Sequence, residues 1–432
     1  MKICIVGVGY VGLVSGTCFA DLGNTVYCVD NNQEKIDLLN NNQIPFFEPG
    51  LEDLVNKNYS SRRLKFTTNL NFAVKNSDFI FICVGTPTSK KTGSANLNNV
   101  FNVVKEIRKY INKFKIIITK STVPVTTGDK IEKIISEKKR RKFFEVVSNP
   151  EFLREGEAIR DFRYPDRIVI GSNSKKVIKN MEHLYLPLIK KGAKFFSTSR
   201  RSAELIKYAS NAFLATKISY INEIANLCEK TGVNVEDVSV GIGLDQRIGS
   251  RFLRAGPAYG GSCFPKDTRA LTVTGDSYNV NLSIIKSVIK SNNARRIILT
   301  KRIKKILLNK IKNKRVAFLG VTFKPNTDDM RQSSSLFMIP YLVKNGAKVK
   351  YYEPSGEKSE FSKLKNVLFC NDINEVCNNI DLLIIHTEWE EFKSLEFKKL
   401  NKGKKFKIYD MRNLYSYNEM KRMGLNYYSI GR

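Results

Sequence analysis

MKICIVGVGYVGLVSG, residues 1–16, opens the chain, and its reading decides the fold class. The apolar run ICIV has strand character and is followed at once by Gly7, Gly9 and Gly12 in the pattern GVGYVG. Such a pattern has a physical basis: the first glycine permits a tight turn and the second lets the backbone approach a pyrophosphate. The third lets the following helix pack closely on the strand, with the helix N-terminus facing the negative charge. A secretory leader also starts with a charge and apolar residues, but glycines at this spacing interrupt the run, so a buried strand and phosphate turn is the better reading. Asp30 closes the next apolar run, TVYCVD, about 20 residues on, where an acid hydrogen-bonds the adenosine ribose hydroxyls and repels a 2′-phosphate. These features predict a dinucleotide site that prefers NAD to NADP.

Outward from this stretch, short apolar runs alternate with longer amphipathic ones, the signature of a parallel sheet built from βαβ units. The predicted strands are residues 2–6, 25–29, 79–84, 116–120, 145–148 and 167–171. A helix then runs from about residue 202 to 230, without Pro or Gly until Gly232. A second α/β pattern follows, with strands at 315–320, 348–352, 382–386 and 407–409, but without the glycine fingerprint. The expected fold class is α/β: two Rossmann-like lobes with parallel sheets, joined by a long central helix and a helical middle domain. The expected domains are an NAD-binding one at 1–200, a central helical one at 201–310, and a second Rossmann-like one at 311–432.

The 432 residues carry 73 Lys and Arg against 41 Asp and Glu, a net charge of +32. Such a field attracts anions, but the excess is spread along the chain and its one dense cluster, KKRRK at 138–142, reads as a solvated loop. No nucleic-acid partner and no membrane partner is expected, and no apolar run approaches the roughly 20 residues of a membrane helix. A cytoplasmic location is expected. Eight cysteines without a CxxC pair argue against zinc or a disulfide framework, and no metal is expected. Cys4, Cys28 and Cys83 lie in apolar runs and read as core; His183 and His386 read as structural. Catalysis therefore falls to other residue types.

Cys263 differs from the other cysteines. In GGSCFPKD it follows Gly260 and Gly261, which let a backbone approach a ligand, and precedes Pro265, which suits the first turn of a helix. Backbone amides there, with Lys266 and Arg269 nearby, would stabilise a thiolate, and Asp267 could accept a proton. On these residues alone a nucleophile and an inert buried thiol both remain open.

GGSCFPKD, NPEFLREG (149–156), KSTVP (120–124) and KYASNAFLATKISYINE (207–223) together resemble the UDP-glucose dehydrogenases of the UDP-glucose/GDP-mannose dehydrogenase family, in the family's order and over essentially the whole chain. The resemblance implies NAD-dependent four-electron oxidation of UDP-glucose to UDP-glucuronate, supplying polysaccharide biosynthesis. It makes Cys263 the nucleophile that carries a thiohemiacetal and then a thioester. Lys207 and Asn211 would stabilise the oxyanion, Thr122 and Glu155 would hold a catalytic water, Asp267 would move protons, and Glu151 would assist thioester hydrolysis.

For the cofactor, the resemblance implies contacts from Gly7, Gly9, Val11, Gly12, Asp30 and Lys35. Thr86, Thr122, Glu155, Lys266 and Arg331 complete that set. For the sugar nucleotide it implies Glu151, Phe152, Leu153 and Arg154, then Lys207 and Asn211, then Tyr259, Gly260, Lys324 and Arg412. Arg247 would come from the neighbouring subunit of a homodimer; the resemblance places the catalytic Cys loop and the dimer interface in 201–310 and UDP-sugar binding in 311–432. Ser262 stands where N-acetylhexosamine dehydrogenases carry His, which favours UDP-glucose, with GDP-mannose or another nucleotide sugar as the alternative. A two-electron enzyme of the 6-phosphogluconate type would share the cofactor lobe and have no use for Cys263. Glu353 precedes Pro354 where the family commonly has Asp, which bears only on a turn.

Overall fold

The computed structural model describes residues 1–89, 92–400 and 406–432. It divides into two compact units, residues 1–210 with 269–280, and residues 211–268 with 281–432.

The first unit is built on strands β1 (Lys2–Val6), β2 (Thr25–Val29), β3 (Leu64–Thr67), β4 (Phe79–Ile82), β5 (Lys115–Thr119), β6 (Phe144–Ser148), β7 (Arg167–Gly171) and β8 (Lys194–Thr198). They form one sheet in the order β3-β2-β1-β4-β5-β6-β7-β8. All pairings are parallel except β6 with β7, which meet antiparallel at Ser148 and Gly171. Helices cover both faces, so the central strands are continuously apolar. Along β1, Ile3 and Ile5 enter one core and Cys4 and Val6 the other, as the two-residue period of a strand requires.

The second unit repeats this plan with β9 (Arg315–Leu319), β10 (Lys348–Tyr352), β11 (Val367–Phe369), β12 (Leu382–Ile385), β13 (Lys407–Asp410) and β14 (Asn426–Ser429). Their order, β11-β10-β9-β12-β13-β14, is that of β3-β2-β1-β4-β5-β6, and every pairing is parallel. Val316 and Phe318 face a core that also takes Ile221, Ala225 and Cys228, and Ala317 and Leu319 face the other.

The long helix Arg200–Thr231 starts slightly before its expected position and runs for 32 residues. The boundary between the units falls inside it, after Ser210, and again inside the helix Phe264–Ser277, after Thr268. Four strands were not expected: β3, β8, β11 and β14. Each lies at an edge of its sheet and has exposed positions along it, so the apolar run that marks a central strand is missing. The KKRRK cluster contains exposed Lys138, Arg140, Arg141 and Lys142. Among the described residues no helix is long and apolar enough to cross a membrane, and no group of His, Cys, Asp or Glu is arranged to hold a metal ion.

Candidate active site

The glycine turn has the geometry its sequence implies. A Cβ on Gly12 would lie 1.9 Å from the Gly7 carbonyl oxygen, so the third glycine is required by the contact of helix with turn. At Gly9 a Cβ would meet nothing within 4 Å. The space above it is open, beside the N-terminus of the helix Tyr10–Asp21, whose cap residue Gly9 has no capping side chain. Backbone amides facing open space at a helix start fit a pyrophosphate. Asp30 is held beside this turn: Oδ2 accepts from Val8 N at 2.8 Å and Lys35 Nζ at 3.0 Å, and Oδ1 accepts from Asn32 N. Burial pushes its carboxyl up, but these donors outweigh it and hold the group below its usual range. Across the sheet, Thr86 Oγ1 donates to the Thr122 carbonyl at 2.9 Å.

A buried ion pair lies in the same unit. Lys207 Nζ is 2.9 Å from Glu151 Oε1, with the side chains only 4% and 5% exposed. Glu151 Oε2 accepts from Leu153 N at 2.5 Å. Burial raises the Glu151 carboxyl, whereas Lys207, the Leu153 amide and Lys120 lower it, and the net direction is downward. Beneath the pair, Lys120 is buried, donates to Asn149 Oδ1 at 3.3 Å, and is pushed down to about 8 by that burial. Phe152 is flanked by two cations, the Arg167 guanidinium at 3.9 Å and Lys207 Nζ at 5.3 Å from its ring centre.

In the second unit, Cys263 immediately precedes the helix Phe264–Ser277, and its carbonyl accepts the first helical hydrogen bond from Asp267 N at 2.8 Å. A thiolate there meets the positive end of the helix dipole. Seven cysteines are buried; Cys263 is partly exposed, with Ser262 Oγ 3.5 Å from its sulfur. One turn on, fully buried Asp267 is gripped by Asn211 Nδ2 at 2.6 Å and Lys266 Nζ at 2.5 Å. Gly260 and Gly261 pack closely on the chain itself. A Cβ on Gly260 would lie 2.7 Å from the Gln332 carbonyl oxygen, and one on Gly261 2.6 Å from the Phe323 ring. This packing sets the glycine loop against the segment holding Lys324 and Arg331, and Arg412 Nη2 donates to the Phe323 carbonyl at 2.9 Å.

Residues 1–189 match the UDP-glucose/GDP-mannose dehydrogenase family, NAD binding domain; 201–294 match its central domain and 317–417 its UDP binding domain. The chain belongs to this family. Its cofactor is NAD. Among its relatives, a UDP-glucose 6-dehydrogenase of Rhizobium meliloti is 47% identical over 100% of both chains. A UDP-glucose 6-dehydrogenase of Bacillus subtilis, TuaD, is 45% identical over 100% of this chain and 93% of its own. A solved UDP-glucose dehydrogenase from Pyrobaculum islandicum superposes with a TM-score of 0.89 at 34% identity, over 96% of this chain and 95% of that one.

Within this UDP-glucose/GDP-mannose dehydrogenase chain, some of the residues singled out in the sequence are engaged by their own neighbours. Exposed Arg154 is held by Asp161 through Nε at 2.9 Å and Nη2 at 2.7 Å, and Arg331 by Asp329 at 2.8 Å. Arg247 lies on an exposed turn and pairs with Asp245 at 2.6 Å. Tyr259 is buried, its amide donating to Asn292 Oδ1, and Val11 and Glu155 are half-buried. His386 is buried against Ser334 and Thr387 and pushed down to about 3, by burial first and then by Arg412, as a structural imidazole.

Sequence reading missed the carboxylates that hold the loops in place. Glu48 accepts from Tyr10 Oη, Gly156 N and Ala158 N, joining the glycine-turn helix to the end of NPEFLREG. Its only signal was an acid before Pro49 and Gly50. Glu353 Oε2 accepts from Val321 N at 2.7 Å and Thr322 N at 3.1 Å, so it holds the turn after β9 as Asp30 holds the turn after β1.

Proposed function

We propose that the chain oxidises the primary alcohol of UDP-glucose to the carboxylate of UDP-glucuronate, reducing two NAD per sugar. The observation that carries this reading is Cys263, a partly exposed thiol at a helix start with Asp267 gripped one turn away by Asn211 and Lys266. Supporting it are the names of the relatives at 42–47% identity and the UDP binding domain match.

NAD, when bound, supplies the hydride acceptor. The sugar aldehyde left by the first oxidation has no carbinol hydrogen to give. The Cys263 thiolate adds to it, forming a C–S bond and an alkoxide that takes a proton, and the resulting thiohemiacetal again carries a donatable hydride. Lys207 and Asn211, one turn apart on the long helix, supply charge and an amide donor to that alkoxide. After the second hydride has left, a thioester remains. Water adds to it, the C–S bond breaks, and the thiol is regenerated with the carboxylate. Glu151, kept ionised beside Lys207, accepts a proton from that water, and Asp267 serves the thiol.

The division of labour follows the three matched regions: cofactor at the N-terminal one, nucleophile in the middle, uridine diphosphate at the C-terminal one with Lys324 and Arg412. We place the protein in the cytoplasm and assign it a homodimeric state. The support for the dimer is an exposed apolar row on the long helix: Phe213, Tyr220 and Leu227 are 66%, 51% and 58% exposed and recur every seven residues. A seven-residue apolar period is a helix-pairing seam. Arg247, extended on its exposed turn, then serves the neighbouring copy.

The test is to incubate the purified protein with NAD and UDP-glucose, GDP-mannose or UDP-N-acetylhexosamines in turn. Two NADH per UDP-glucose are expected. One NADH per sugar would make it a two-electron enzyme, and preference for another nucleotide sugar would move the substrate assignment within the family.

A further inference from the structure

We infer that Glu204 is a positioning residue of the reaction: its carboxylate clamps the segment carrying Thr122 to the start of the helix carrying Lys207. This inference rests on the oxidation reading above.

Glu204 lies one turn before Lys207 on the long helix and is buried. Its two oxygens reach partners 56 to 78 residues back in the chain. Oε2 accepts from Thr126 N at 2.8 Å, and Oε1 accepts from Gly128 N at 2.7 Å and Ser148 Oγ at 3.3 Å. The first two donors lie at the start of the helix Thr127–Ser136, where a carboxylate also meets the positive end of the helix dipole. Within the turn, Thr127 donates from its N and its Oγ1 to the Pro124 carbonyl, at 3.2 and 2.6 Å. Thr126 has φ 76, a left-handed conformation that a β-branched residue resists. Gly128 packs tightly here: a Cβ would lie 3.1 Å from the carboxylate and 3.2 Å from Arg200 Cδ.

The other end of the segment is tied separately: Ser121 Oγ donates to the Val84 carbonyl at 2.7 Å, and Thr86 Oγ1 to that of Thr122. Thr122 therefore sits between an anchor on the sheet and an anchor on the long helix. Loss of the second lets the strained turn relax and Thr122 drift.

The charges around Glu204 are paired with one another. Arg200 binds Asp129 at 3.0 Å and also Glu132, and lies 4.0 Å from Glu145 on β6; Arg201 binds Asp129 at 2.7 Å. Burial, followed by Asp129, therefore pushes Glu204 up to about 7 even though the Gly128 and Thr126 amides and Ser148 oppose it. Only the ionised carboxylate presents a strong, charged acceptor oxygen to both backbone amides. Turnover should fall as pH drops through about 7.

The experiment measures kcat and KM from pH 5.5 to 9 for the wild type, Glu204→Gln and Asp129→Asn, with thermal melts to confirm folding. Glu204→Gln presents an amide NH2 to one backbone donor at every pH. Its kcat should be lower by about ten- to a hundredfold at pH 8, with the KM for UDP-glucose little changed and the inflection near neutrality gone. Asp129→Asn leaves Glu204 in place and removes a charge that raises it, so its inflection should move to lower pH. It serves as well if the Gln variant does not fold. A wild-type profile in Glu204→Gln, or an unmoved inflection in Asp129→Asn, overturns the inference. Absence of NADH formation by the wild-type chain would instead overturn the oxidation reading.

Discussion

Two buried charges 2.9 Å apart, Lys207 and Glu151, show how single residues set both stability and chemistry here. Removing one partner of a buried pair costs about 3–5 kcal/mol, because the other charge is left uncompensated. Lys207→Ala should therefore melt well below the wild type at pH 7. The sign of its pH dependence follows from Glu151, whose folded carboxyl lies below its ordinary value of 4.5. The pair's contribution is full above that value and is lost as pH falls through the lower folded value. Calorimetry should show the gap in melting temperature narrowing in acid; a gap constant from pH 7 to pH 3.5 would deny the pair that role. Cys263→Ala should lower uronate formation by more than about 10³-fold and leave NAD affinity intact, measured by product analysis and cofactor titration; uronate formed at the wild-type rate would exclude the sulfur. Cys263 and Asp30 were noticeable in the sequence, one within GGSCFPKD and the other about 20 residues after the glycine turn. Glu48 and Glu204 were not, because the amides they hold lie 76 to 110 residues away, and only folding brings them together.

The strand–turn–helix opening the chain is an element whose glycines do different work, and the difference is testable. Gly12→Ala drives a Cβ to 1.9 Å from a carbonyl oxygen, which calls for a backbone shift costing about 1–3 kcal/mol. Gly9→Ala meets open space at an ordinary φ of −83 and should fold as the wild type does. Its methyl group occupies the approach of the pyrophosphate, so NAD affinity should fall by about tenfold or more. Melting curves with cofactor titrations separate the two; Gly9→Ala binding NAD normally would place the pyrophosphate elsewhere. The same element form recurs after β9, where Glu353 takes up two amides of its turn. The sequence shows the strands of both lobes but not this likeness, since one turn carries the glycine pattern and the other does not. The edge strands β3, β8, β11 and β14 escaped for a simpler reason: with solvent along part of each, selection for a continuous apolar run is relaxed.

At the scale of the whole molecule, two sheets of the same strand order account for most of the fold, and their central strands were readable because burial on both faces forces Val, Ile and Phe into them. Assembly is less readable, since an apolar residue on a long helix looks alike whether it meets its own core or another chain. Exposure distinguishes the two: Phe213, Tyr220 and Leu227 turn away from the core, while Ala212, Ile221 and Ala225 are buried in it. If this exposed row meets its own copy on a second chain, the contact is two-fold. If Arg247 serves the neighbouring copy, two inactive variants should restore each other. Arg247→Ala retains its nucleophile and lacks the donated arginine; Cys263→Ala lacks the nucleophile and can still donate. When the two are unfolded together and refolded, half the dimers are mixed, and each mixed dimer has one complete site. Activity should recover to about one quarter of the wild-type value, and Leu227→Glu in both chains should abolish the recovery by blocking pairing. Dimers formed without any recovery would assign Arg247 to its own chain, and a wild-type chain sedimenting as a monomer would remove the seam.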